Sequence, residues 1–254
     1  MNKVDLAIIL PVLNCFEFTK KMISTIKTGH PYRLIVIDNG STDGTEAYFR
    51  QLDLTRAITY IRNSKNKGVA GSWNQGIEFA IRKFNSRYFF IPNNDILLHS
   101  DAIDTLIEAI EAPKTFLAAA TDISGQVSHP EEVLKAKPPE KREITEAPDF
   151  SCFLIKRETL EKIGYFDEKF FPAYFEDNDY HYRIRLEGGK ASKTNQALYF
   201  HFGSRTIKGG GMIRAISNTG YVINRDYYIQ KWGGLPGEEK FKRPYNGKPV
   251  PHWT

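Results

Sequence analysis

Cysteine is scarce. Cys15 and Cys152 are the only two in 254 residues, too few for a disulfide framework. Their apolar neighbours suggest buried thiols in a reducing compartment. Long hydrophobic runs are missing as well. The opening MNKVDLAIIL is too short in apolar residues for a signal peptide or membrane span, and no later stretch reaches 18. The expected location is therefore cytoplasmic, at most peripheral at a membrane. No internal repeat occurs. GxGxxG is absent, which counts against a nicotinamide-binding enzyme, and the lack of a Walker A loop counts against a P-loop NTPase. Neither sign of charge dominates strongly. Lys and Arg number 35 against 30 Asp and Glu, giving a net charge of +5 and a pI near 9.0. That balance suits an acidic ligand such as a nucleotide, a nucleic acid or an anionic membrane surface, without choosing among them.

What is present is an ordinary globular composition, 41% hydrophobic and 26% charged, enough for one large α/β domain or two small ones. Residues 6–12 (LAIILPV), 34–38 (LIVID), 58–62 (ITYIR) and 88–91 (YFFI) read as buried strands. Between them lie helical patterns: 15–28 with Phe18, Met22 and Ile26 on one face, a stretch after the turn 39–45 capped by Asp43 or Thr45, and Val69, Trp73, Ile77, Ile81 and Phe84. Ile103, Leu106, Ile107 and Ile110 mark a further helix. Alternating strands and helices predict a doubly wound, mainly parallel sheet flanked by helices, with ligands at the carboxyl ends of the strands.

The second half is less regular. Residues 122–149 read as a long loop or insert, 150–156 as a strand, 157–163 as a short helix, 177–187 as a helix and 197–200 as a strand. The glycine-rich, basic stretch 203–214 reads as a mobile loop, followed by a helix to Trp232 and an extended, basic tail. The expected division is 1–98, 99–234 and a tail at 235–254.

Several polar clusters sit where such a sheet places chemistry. Asp38 begins DNGSTDGT and can accept from a nucleobase N–H, or serve only in a turn and cap. In IPNNDILL, Asp95 follows an apolar strand directly. A buried carboxylate there calls for compensation, by a hard divalent cation or by an Asx-turn. FEDNDYHYR brings Glu176, Asp177 and Asp179 together. Mutual repulsion raises carboxylate pKa values and can make one a base, although acids also favour any helix N-terminus. His201 follows the strand ALYF and can complete a metal site with Asp95. Arg205, Lys208 and Arg214 offer positive charge for a diphosphate.

In order, these segments resemble the family 2 glycosyltransferases of the GT-A fold. The resemblance rests on AIILPVLN (7–14), LIVIDNGSTDGT (34–45), NKGVAGSWNQGIEFA (66–80), NND (93–95), IGYFDEKFF (163–171) and FEDNDYHYR (175–183). It implies a Rossmann-like GT-A domain with an acceptor-side C-terminal subdomain. It further implies a nucleotide diphosphate sugar donor, Mn²⁺ or Mg²⁺, and inversion at the transferred sugar. By position, Pro11 and Asp38 would hold the nucleobase with Asn39 and Ser41 nearby, and Asn66, Gly68, Asn74 and Asn94 would border the donor. Arg205 and Lys208 would meet the diphosphate. Asp95 and His201 would bind metal. Asp177, with Glu176 beside it, would deprotonate the acceptor, while Trp73 reads as core. Asn93 departs from the family's Asp-x-Asp, which removes one charge from the metal site. The acceptor expected is a saccharide or glycan, with a modified DNA base as the minority reading. A sugar nucleotidyltransferase and a non-catalytic nucleotide- or glycan-binding domain are the competing classes.

Overall fold

A computed structural model describes residues 5–55, 58–146, 148–203 and 211–248, without the side chains of 211–218. The first half follows the predicted alternation closely. Its elements are β1 (Leu6–Val12), α1 (Phe16–Ser24), β2 (Tyr32–Asp38), α2 (Thr45–Leu54), β3 (Thr59–Arg62), α3 (Gly68–Phe84), β4 (Tyr88–Pro92), β5 (Ile96–Leu98) and α4 (Ala102–Ile110). Then come β6 (Thr115–Asp122), β7 (Ile144–Glu146), β8 (Cys152–Lys156), α5 (Arg157–Ile163), α6 (Glu176–Leu186), β9 (Lys190–His201) and α7 (Gly211–Trp232).

Among the described residues, nine strands form one sheet in the order β3-β2-β1-β4-β8-β6-β9-β5, with β7 paired to β9. β1, β2, β3 and β4 are mutually parallel, and β6 and β9 run with them, while β8, β5 and β7 are antiparallel to their neighbours. The alternation of side chains along β1 explains the two layers of helices. Leu6, Ile8, Leu10 and Val12 face one core with Met22 of α1, Phe49 of α2, and Ile103 and Leu106 of α4. Ala7 and Ile9 face the other with Trp73 and Ile77 of α3, Leu160 of α5 and Ile184 of α6. Close approach of α3 to β1 requires Gly76, where a Cβ would stand 2.3 Å from Ile9 Cγ2.

Local chemistry explains where elements differ from expectation. α1 ends at Ser24 rather than running to 28. Thr25 Oγ1 donates to Met22 O at 2.7 Å and accepts from Leu98 N at 3.1 Å, so the side chain competes with the helix and ties its end to β5. Residues 122–149 hold a 3-10 turn (Pro130–Lys135) and β7 rather than loop alone. β6 and the first half of β9 were not expected as strands. Gly211–Arg214 belongs to α7, not to a loop. Past Trp232 the chain folds back instead of running out. The Lys240 and Phe241 amides both donate to Trp232 O, and Tyr182 Oη donates to Phe241 O at 2.9 Å.

Candidate active site

β1, β2, β3, β4 and β9 all end on one edge of the sheet. α6 precedes β9 and runs against it, so the first turn of α6 lies at that same edge. The acidic residues singled out from sequence therefore share one rim.

At the β2 end, Asp38 is fully buried and spends both oxygens on protein donors. Oδ1 accepts from the amides of Gly40 (3.1 Å) and Ser41 (2.7 Å), and Oδ2 from Tyr60 Oη (2.5 Å) and Arg62 (2.7 Å). Burial raises its pKa, but the bonds from Tyr60, Ser41 and Arg62 outweigh burial and hold it below the ordinary value. A nucleobase reaching Asp38 has to share oxygens already engaged. Pro11 is partly buried on the adjoining β1, paired with Ile37. Ser41 Oγ accepts from the Asn14 amide at 2.8 Å, and Asn14 in turn accepts from Thr42, which joins the two loops. Asn39 donates to Ser72 Oγ at 2.7 Å and accepts from Asn63 at 3.1 Å.

Asn66 is exposed and accepts from the Gly68 amide at 2.8 Å. Gly68 has φ +72°, and a Cβ there would lie 2.8 Å from Pro172 O, so this turn needs glycine. Asn74 is buried and clamps the segment before α6. It donates to Phe166 O (2.9 Å) and Glu168 (2.8 Å), and accepts from the Phe166 amide (3.0 Å). Asn94 is buried toward α1, donating to Thr19 Oγ1 at 2.9 Å. Trp73 is core, edge-on to Phe153 and Phe166.

Asp95 and His201 meet across the β5–β9 ladder, where Ile96 pairs with His201. Asp95 Oδ1 lies 3.2 Å from His201 Nε2, and both side chains are largely buried. Two ligands at right angles on one Mn²⁺ or Mg²⁺, each at about 2.1 Å, stand about 3 Å apart. The spacing and the carboxylate–imidazole donor set thus fit a shared divalent ion. Arg205 and Lys208 lie outside the described residues, as does the side chain of Arg214.

The α6 turn contrasts with this. Glu176 is buried, and its Oε2 has no hydrogen-bond partner. Burial, then the charge of Asp177, pushes its pKa well above the ordinary range. Asp177 is partly buried. Burial raises its pKa too, with Asp149 adding to the rise and the Asn178 amide and His181 opposing it. Asp179 points away from the rim into a charged knot. Arg183 donates to it at 2.8 Å, Trp232 Nε1 at 2.8 Å and Lys231 at 2.6 Å, and Lys231 also reaches Asp167 at 2.6 Å.

Three contributors were not anticipated from sequence. Asn224 of α7 donates to the carbonyls of Ala173 (2.9 Å) and Tyr174 (3.0 Å), holding a turn in which Tyr174 and Phe175 have φ of 81° and 71°. Left-handed conformations cost non-glycine residues about 1–3 kcal/mol each, so this support matters. Asp149 accepts from Tyr199 Oη at 3.2 Å and acts electrostatically on both His201 and Asp177. Lys231 anchors α7 to α6. All three act over long sequence separations and carry no local signal.

Residues 7–221 match the family model described as Glycosyl transferase family 2. The chain belongs to glycosyl transferase family 2. Among curated relatives, a low-salt glycan biosynthesis hexosyltransferase, Agl10, from Haloferax volcanii is 25% identical over 198 residues, 72% of this chain and 62% of the relative. A galactofuranosyl glycosyltransferase from Leishmania donovani is 32% identical over 87 residues, 34% of this chain and 19% of that protein. The chain thus spans less than two thirds of either relative. In fold, this family 2 chain is similar to the mannosyltransferase PcManGT from Pyrobaculum calidifontis in complex with GDP-Man and Mn²⁺. The TM-score is 0.62 at 18% identity, over 92% of this chain and 66% of that one. It also resembles GalNAc-T7 with UDP, GalNAc and Mn²⁺, at TM-score 0.65 and 13% identity, over 91% and 48%. The GT-A expectation for the fold therefore holds.

Proposed function

We propose that this chain transfers a hexosyl or related group from a nucleotide diphosphate sugar to a saccharide hydroxyl, with inversion. The observation that carries the reading is the pairing on one rim of a compensated acid, Asp95 beside His201, with uncompensated acids, Glu176 and Asp177. The name of the Haloferax relative, a hexosyltransferase of glycan biosynthesis, supports a saccharide acceptor over a modified DNA base. The Mn²⁺ and the nucleotides named with the two similar folds support the donor class.

In this reading residues 1–98 bind the donor and 99–234 present the acceptor. Pro11, Asp38, Asn39 and Ser41 form the base-side wall, with Asn66, Gly68, Asn74 and Asn94 keeping the donor loops in place. Asp95 and His201 would hold Mn²⁺ or Mg²⁺, and Arg205 and Lys208 supply charge for the diphosphate. A divalent ion bound there neutralises charge building on the leaving diphosphate. Asp177 takes the acceptor proton. The freed oxygen pair forms a bond to the anomeric carbon from the face opposite the leaving group, and the old C–O pair departs with the diphosphate. Glu176, whose burial favours its neutral form, lessens the negative charge beside Asp177.

Incubating the chain with a panel of sugar nucleotides and Mn²⁺ tests this. One donor is expected to raise the melting temperature and to hydrolyse slowly to free sugar and nucleoside diphosphate. Release of pyrophosphate from a sugar phosphate and a nucleoside triphosphate would instead identify a nucleotidyltransferase. Failure of every sugar nucleotide to bind would end the proposal.

A further inference from the structure

We infer that Tyr174 and Tyr221 form a stacking platform for the acceptor, taking a sugar ring by its apolar C–H face. The inference rests on the reading of this chain as a transferase acting on a saccharide, and adds which side chains hold that saccharide.

Three aromatic rings stand exposed beside the acidic turn. Phe171 is 42% exposed, Tyr174 37% and Tyr221 47%. Single exposed apolar residues are ordinary, but a group of aromatic rings calls for a ligand. Phe171 adjoins the donor-side turn, since a Cβ on Gly68 would lie 3.0 Å from its Cδ2. Tyr174 and Phe175 lead directly into α6, which opens on Glu176 and Asp177. Tyr221 arrives from α7. Gly220 permits that approach, because a Cβ there would stand 2.6 Å from Pro172 Cδ and 3.1 Å from Phe171 O. The rings of Tyr174 and Tyr221 are then 5.5 Å apart at 74°, a corner with one ring as floor and the other as wall. Buried Phe175 backs Tyr221 at 5.3 Å.

Folding alone does not account for Tyr174. Its φ of 81° suits glycine, and the turn needs the two bonds from Asn224. The tyrosine kept there fills no core. Its hydroxyl, like that of Tyr221, has no hydrogen-bond partner among the described residues. A sugar ring uses both leftovers. Its C–H face is weakly positive toward the negative π face, and its rim hydroxyls can bond to the phenols. Val222 and Ile223 extend the exposed apolar surface along α7, which raises a membrane as the other occupant. The neighbouring acids disfavour an anionic lipid surface, and Arg225, the next cation along α7, is already paired with Asp226 at 2.8 Å. The free phenols and the acidic turn therefore favour the saccharide.

The test is saturation-transfer NMR with Mg²⁺ present and the methyl glycosides of glucose, galactose, mannose and N-acetylglucosamine as probes. At least one glycoside should show transfer to its ring C–H protons. Tyr174→Leu and Tyr221→Leu should each weaken its binding roughly tenfold. Tyr221→Phe keeps the π face and should lose only about two- to threefold. With that glycoside as acceptor, the leucine variants should raise acceptor KM by the same factor while kcat changes less. The rise in melting temperature given by the preferred sugar nucleotide should match the parent. Were Tyr174→Leu to misfold, Tyr221, exposed on α7, carries the test alone. Parental affinity in Tyr221→Leu, equal losses in Tyr221→Leu and Tyr221→Phe, or no transfer to any glycoside would overturn the inference. So would binding to phosphatidylcholine–phosphatidylglycerol vesicles that Tyr221→Ser abolishes, which would assign the face to a membrane. Donor binding is read separately. Loss of the platform thus leaves the transferase reading standing, whereas a chain that no sugar nucleotide stabilises loses that reading instead.

Discussion

Asp38 at the end of β2 and Glu176–Asp177 at the start of α6 occupy the same edge of the sheet, and their surroundings drive them in opposite directions. Asp38 meets four donors, including the Arg62 guanidinium, and is held ionised below the ordinary carboxylate range. Glu176 is pushed up by burial and then by the charge of Asp177, and Asp177 by burial with Asp149 adding to the rise. Burial is common to the two regions, so the difference lies in partners. Where donors surround an acid it becomes a fixed point of structure or binding. Where acids surround it, a proton becomes the missing partner, which is what a base requires.

The largest effect expected from breaking this contrast is on rate. Asp177→Asn should lower kcat by about 10²–10⁴-fold, the usual worth of a general base, measured by initial rates with saturating donor. Next comes the knot behind the acidic turn. Lys231→Met removes the cation shared by Asp167 and Asp179, leaving buried acids less compensated, and should cost about 3 kcal/mol in urea unfolding. A smaller loss is expected at the compensated acid. Arg62→Ala should cost about 1–2 kcal/mol at neutral pH, since Arg62 is partly exposed. The sign follows from the lowered pKa of Asp38. Its stabilisation is full above the unfolded value of about 3.9 and is lost as pH falls through the folded value, so the two proteins should converge in acid. An Arg62→Ala deficit that persists unchanged at low pH would mean the pair is not its source.

The smallest effect has the opposite sign. Glu176→Gln should stabilise the fold at neutral pH by about 1 kcal/mol, seen as a rise of a few degrees in Tm. The raised pKa of Glu176 means its ionisation penalises the folded state above the unfolded value of about 4.3, so the gain should vanish below that pH. Destabilisation by Glu176→Gln would show that Glu176 has a partner its surroundings do not reveal.

The regions also differ in how legible they were. LAIILPV and LIVID announce buried parallel strands because both faces of a central strand are covered. β6 (TFLAAATD) and the start of β9 (KASKTNQ) do not, since alanine-rich and polar strands carry little hydrophobic pattern. They became strands through pairing, β6 with β8 and β9, and the start of β9 with β6 and β7. At the site, Asp95 and His201 stood out by residue type and by position after strands, and the Glu176–Asp177 turn by its cluster of acids. Asn224, Asp149 and Lys231 did not. Asn224 reaches back about fifty residues to the turn it holds, and such contacts leave no mark on local spacing. Tyr60 and Arg62, which occupy Asp38, were legible only as parts of a strand.

The division of labour between compensated and uncompensated acids is tested most directly by titration calorimetry of the preferred sugar nucleotide with Mn²⁺ into Asp95→Ala and Asp177→Asn side by side. Asp177→Asn should bind the donor with parental affinity. Asp95→Ala should lose metal-dependent binding on the order of 10²-fold or more. Unchanged affinity in Asp95→Ala, or equal loss in both, would contradict it.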